Sequence, residues 1–461
     1  MADACSTPAN FPERPIQSTN LSRDAFAVAL RHGRGAAVLH VQEHGLDGVE
    51  DLVLAACLEN QCYDRQCEGS RAAWMFGFYK GTPAYGRFAE AILTAMSQST
   101  DDYDSDQQRE LASLMGRDGD LEAAAALRAH VWGQTFSADQ VLGAGAIRDL
   151  DGLPAIVEIA RRLGKVLQQD PGAWVDSLHF LVDETFPFDD VFAELKRVAA
   201  GDEAVAAYVG KEEAERVAGN NRPDWSTEDP AASAKRRAEE FMQDNPLDAI
   251  LAASTSKSGG RGRFMQFGRW ASKEDLNRIL ARLRIESEPE ACEKLLCVFR
   301  KRPLPCLDES VWALASHSSA DVRNAAAVAL SHTSDPRVRN LALERLGDPG
   351  FSSDYSEELD LFKSNYQPGD ETLILAALER QTVDGKEAHY LGSSAIDVCS
   401  SVDSPALAGV AEWVYRTNPC GICRQRAVEK LQEWNRLPPH IAAECRHDAL
   451  EDLRELMREQ P

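Results

Sequence analysis

Apolar residues along this chain recur at spacings of three and four, the period of a helix that buries one face. Alternation at a spacing of two, the mark of a half-buried strand, is nearly absent. The pattern predicts helices over 49–60, 70–80, 84–97, 106–115, 121–131 and 154–167. It continues over 234–243, 273–283, 290–300, 307–316, 321–331 and 336–346, and then over 371–380, 405–415, 423–434 and 439–458. Short Gly, Pro, Asp or Ser joints separate them, as expected of stacked helix pairs rather than of one closed bundle.

The clearest internal similarity joins SSADVRNAAAVALSH to TSDPRVRNLALERLGD. Val322, Ala325, Ala326, Ala329 and Leu330 line one face of the first segment. Val338, Leu341, Ala342 and Leu346 repeat most of that face in the second. Ser319 and Asp335 stand at the cap positions three residues before each valine. Small alanines on the buried side let neighbouring helices approach closely. These two segments, with their shared V-R-N triplet, resemble the HEAT family of helical repeats, especially its bacterial branch. The resemblance is good over 307–346 and faint over 405–434 and 49–80. It implies an all-α fold, a right-handed α-solenoid of irregular HEAT-like helix pairs. One helix rather than two separates the V-R-N triplets, a departure from the family's repeat.

Residues 218–233 (AGNNRPDWSTEDPAAS) lack periodicity and are read as a linker or long loop. They divide an N-terminal helical half, 21–217, from a C-terminal HEAT-like half, 234–461, whose last helix is expected to cap the array. Residues 1–20 are expected to form an irregular tail.

Charge narrows the partners. The 461 residues carry a formal charge of −24, which argues against a protein that coats nucleic acid or anionic membrane with its whole surface. No apolar run approaches a membrane span, the start lacks a secretory pattern, and the 11 cysteines suit a reducing compartment. A cytoplasmic location is expected. One window departs from the acidity: residues 257–302 hold twelve basic and six acidic side chains, so they carry +6 and the remainder −30. There Arg261, Arg263 and Arg269 interleave with Phe264, Phe267 and Trp270, types suited to phosphate, nucleic acid or acidic peptide. These six are the candidate binding residues.

Two short motifs invite metal or redox chemistry. His40-Val-Gln-Glu-His44 matches H-x-x-E-H, in which two histidines one turn apart hold zinc and the glutamate activates water. Gly45 follows at once, so the motif occupies a helix end, where histidines are favoured by the dipole alone. Cys420-Gly-Ile-Cys423 opens a helix, with His440, Cys445 and His447 downstream as further donors. Cys423 falls on the slot of Val322 and Val338, so the cysteines are assigned as small core hydrophobes, and no metal or cofactor is expected. Asp102, Asp104 and Asp106 begin like a calcium loop, but Gln107 and Ser113 fail at its sixth and twelfth positions. Ser254 and Lys257 fit S-x-x-K without the companion motifs, and no phosphate-binding glycine loop or nucleophile elbow is present. The His-Glu dipeptides of HEAT-like di-iron hydroxylases are also missing.

The expected function is that of a non-catalytic intracellular adaptor that binds a protein partner through a solenoid surface and neutralises a basic one. The alternative is nucleic-acid binding through 257–302, in the manner of HEAT-like DNA glycosylases. The third is a zinc hydrolase around His40, Glu43 and His44.

Overall fold

The computed structural model describes residues 20–99, 101–133, 141–220, 230–256, 260–382 and 384–458. Among them there is no strand; the fold is all-α, and no helix is long and apolar enough to cross a membrane. The expected tail at 1–20 lies almost wholly outside the described residues, as does most of the linker at 218–233. Helices Glu203–Asn220 and Pro230–Asp244 extend into the latter from both ends, so 218–220 and 230–233 are helical rather than aperiodic.

Local chemistry sets many of the helix starts. Ser22, Asp101, Asp308, Asp335 and Asp384 each accept an N–H from the first turn of the helix they precede. Ser272 and Asp275 close a reciprocal capping box. Ser319 occupies the expected cap position but its side chain makes no capping bond.

The chain divides by contacts into two units, and the division differs from the expected halves. One unit joins residues 1–118 to 437–461; the other is 119–436. In the first, the final segment is two helices, Pro439–Cys445 and Glu451–Arg458, rather than one capping helix. Asp448, wholly buried, breaks it by accepting the Leu450 N–H at 2.9 Å. This segment packs on N-terminal helices of its own unit. Arg34 pairs with Glu444 at 2.6 Å, and Trp74 Nε1 donates to the His447 carbonyl at 2.8 Å.

In the first part of the second unit, after helices Leu121–Gly133 and Ala144–Asp151, helix Leu153–Gln169 packs on Glu203–Asn220. From 230 onward its helices alternate between two layers, each resting on the helix two places earlier. One layer holds Leu247–Ser254, Lys273–Leu283, Glu309–Leu314, Pro336–Gly347, Asp370–Glu379 and Ala408–Thr417. The other holds Arg261–Trp270, Pro289–Cys297, Ala320–Ser331, the 3-10 helix Ser353–Phe362, Gly385–Val402 and Gly421–Glu433. The two V-R-N helices are consecutive and lie in opposite layers, Ala320–Ser331 packing on Glu309–Leu314 and Pro336–Gly347 on the 3-10 helix Ser353–Phe362, which explains their one-helix spacing.

Side chains near helix ends stitch this alternation into register. The Arg345 guanidinium donates to the Ala315 carbonyl, 30 residues earlier, and Arg380 to the Leu346 carbonyl, 34 earlier. Gln381 reaches the Phe351 carbonyl and Asn418 the Ala388 carbonyl, each across 30 residues. Helix ends and links such as Ala315, Leu346 and Phe351 leave carbonyls without a backbone partner, and a donor one repeat later satisfies them.

Candidate functional site

The H-x-x-E-H segment is the last turn of helix Gly35–His44, which Gly45 ends at φ 73°. His40 is buried: its Nδ1 accepts the Leu21 N–H at 3.1 Å, and its ring lies 5.1 Å from that of Phe26. Glu43 is largely exposed beside His44. The two histidine rings lie 5.1 Å apart, and among the described residues no further donor joins them as a ligand group.

The basic window is a sequence of helices whose cations are largely engaged. Arg261 pairs with Glu293 at 2.5 Å, Arg278 with Asp248 at 2.9 Å and Arg284 with Asp308 at 2.6 Å. Arg263 donates to the Asn245 side chain, and Arg269 is exposed. The expected interleaving fails on the aromatic side. Phe264 and Phe267 are wholly buried and Trp270 meets Phe241 edge-on, because 261–270 is a helix that turns those residues inward. Stacking on bases needs exposed rings; the candidate residues are brought onto one helix but not onto one surface.

A groove of about 810 Å³ lies among Trp74, Phe78, Arg71, Glu68, His447 and Arg454. Arg71 is committed to Glu68 and the Arg31 carbonyl, and Arg454 to the carbonyls of Asp448 and Ala449. Asp101 caps a helix, and Asp104 accepts the Asn60 N–H, so the acidic run at 101–106 shows no calcium-loop arrangement. Of the S-x-x-K pair, Ser254 bonds the Leu251 carbonyl, and Lys257 lies outside the described residues.

The C-x-x-C motif is different. Cys420 is the N-cap of helix Gly421–Glu433 and Cys423 lies in its first turn, which turns both thiols to one side. Helix Gly385–Val402, one repeat earlier in the same layer, brings His389 to them. Donor atoms of the three side chains lie within 4.8 Å of one another, and Cys423 Sγ is 3.9 Å from His389 Nδ1. Both cysteines are buried and His389 is partly exposed.

Asn418 fixes this arrangement. Its Oδ1 accepts the Cys420 N–H at 3.0 Å, while its Nδ2 donates to the carbonyls of Ala388 and His389 itself. Gly392 makes room: a Cβ there would lie 2.1 Å from Asn418 Nδ2. Beneath the turn, the wholly buried Arg424 donates to the Pro419 carbonyl. Hydrogen bonding from Cys423, and then from His389, outweighs burial and draws the Cys420 thiol well down from the usual cysteine range. Cys423, donor within the pair and buried, is pushed up.

The other donors expected near this motif, His440, Cys445 and His447, belong to the unit formed by 1–118 and 437–461. His389 was missed because it stands 34 residues before Cys423, with no local pattern of its own. Its signal is the repeat length, since a residue one repeat earlier faces its counterpart across the stack. Comparison with family models, curated proteins and solved structures finds no match.

Proposed function

We propose that this chain is a non-catalytic helical-repeat protein, an α-solenoid akin to the HEAT family, that binds a protein partner in the cytoplasm. The two-layer alternation from 230 and its bonds across about 30 residues support the repeat architecture, which presents a long continuous surface. Two large aromatics on a pinned loop carry the binding role. Trp174 is 64% and Phe180 70% exposed, although Val175, Leu178 and Leu181 between and beside them are buried. Tyr208 Oη holds the Asp176 carbonyl, Lys211 the Val175 carbonyl, and Glu212 accepts the Leu178 N–H. Rigid exposed aromatics lose little entropy on contact and supply most of the energy at protein interfaces. The charge of −24 favours a basic partner and speeds its approach.

The test is capture of the partner by cross-linking, its identification, and titration of the purified pair. Trp174→Ala with Phe180→Ala should weaken binding about 100-fold with the helical signal unchanged. Unaltered affinity would remove the loop from the interface. Salt-sensitive binding of a labelled DNA or RNA, lost in Arg261→Glu, Arg263→Glu, Arg269→Glu, would instead favour the nucleic-acid alternative.

A further inference from the structure

We infer that His389, Cys420 and Cys423 form a binding site for a thiophilic metal ion of the zinc class, held between two successive repeats. Two sulfurs and one imidazole nitrogen are the donor set that such ions select over magnesium or calcium. The geometry is close to what zinc requires. With Zn–S near 2.3 Å and Zn–N near 2.1 Å, adjacent tetrahedral donors stand roughly 3.5 Å apart. The present 3.9 Å between Cys423 Sγ and His389 Nδ1 needs only a few tenths of an ångström of closure.

Burial supports the charge of the assembly. Two thiolates balance a divalent cation, and a neutral imidazole adds nothing, so the filled site carries no net charge in a poorly solvated place. Metal entry releases the protons still held by the pair to solvent, with no change in oxidation state. The outer layer is already built, because Asn418 anchors the backbone of Cys420 and of His389 with one side chain. The site lies near the surface: His389 is partly exposed, and Tyr390 and Ile422, next to His389 and Cys423 in the chain, are 46% and 42% exposed. Three protein donors leave the fourth position to water.

The experiment uses the full-length reduced protein and cobalt(II), a spectroscopic stand-in for zinc. One equivalent should produce the sulfur-to-cobalt charge-transfer band together with the visible bands of a tetrahedral ion, and zinc should bleach both. Cys420→Ser with Cys423→Ser should abolish the charge-transfer band. His389→Ala should weaken cobalt binding about 100-fold and shift the visible bands, and Asn418→Ala should weaken it about 10-fold. Circular dichroism reports whether each variant keeps its helices. If the double variant does not fold, the spectrum of the unaltered protein and of the His389 variant still decide. No charge-transfer band in the unaltered protein would overturn the site, as would a band that survives loss of both cysteines. So would thiols that take no cobalt when reduced and close to a disulfide under a mild thiol oxidant.

Discussion

The two short motifs of this chain end differently. His40, Glu43 and His44 hold the more specific spacing, yet they sit on one helix end, and among the described residues no further donor joins them as a ligand group. Cys420 and Cys423 hold the commoner spacing, and they acquire His389 from the helix one repeat earlier. The difference lies in what faces each motif. The helix end at His44 brings two donors from its own turn, whereas the helix start at Cys420 faces the preceding helix of its layer at a register that adds His389. Spacing along one helix supplies two ligands; a site needs the neighbour that supplies the rest.

The largest contrast should appear in metal affinity. Cys423→Ser should lower cobalt or zinc affinity by about 100-fold or more, while His40→Ala and His44→Ala together leave it unchanged. Elemental analysis and competition with a chromophoric chelator would check this; equal losses from both motifs would erase the distinction.

Gly392→Ala should come next. Its Cβ would meet the Asn418 amide at 2.1 Å and Cγ at 3.1 Å. Asn418 is wholly buried and bonded on both sides, so it has little room to yield. We expect a loss of about 3 kcal/mol in denaturant unfolding, with the metal bands weakened in the same variant. A neutral outcome would mean that Asn418 does not hold the site.

His40→Ala should cost about 2 kcal/mol, from the lost acceptor for Leu21 and the packing on Phe26. His40→Asn, which keeps an acceptor, should recover part of it. That pattern marks a structural histidine, and a hydrolytic activity lost in His40→Ala would contradict it.

Gly45→Ala should be smaller, about 1 kcal/mol. Nothing lies within 4 Å of its would-be Cβ, but φ 73° with ψ −165° disfavours any side chain. His44→Ala should shift stability by less than about 0.5 kcal/mol, since its partner Glu43 is largely exposed. Thermal melts of the three variants would establish the order.

Much of the local structure was legible before any coordinates. Asp335 and the apolar faces of Val322 and Val338 mark helices that the structure contains, because capping and amphipathic periodicity are local properties. Phe264 and Phe267 mislead for the same reason. Their spacing of three places them on one helix face, but composition alone does not say whether that face is turned to solvent or core. Asp448 shows the complementary failure: a buried side chain bonding its own backbone divides what periodicity alone reads as one final helix.

The sequence by itself determined many of the helices, caps such as Asp335, the acidity and the cysteine pair at a helix start, since each depends on neighbours within a few residues. Tertiary structure alone decided which helices share a layer, that 437–461 packs with the first unit, and that His389 faces Cys420 and Cys423. These follow from the register of stacking, in which donors such as Asn418 and Arg345 satisfy carbonyls about 30 residues earlier. That register is set by contacts between helices, and no stretch of sequence as short as one helix contains it.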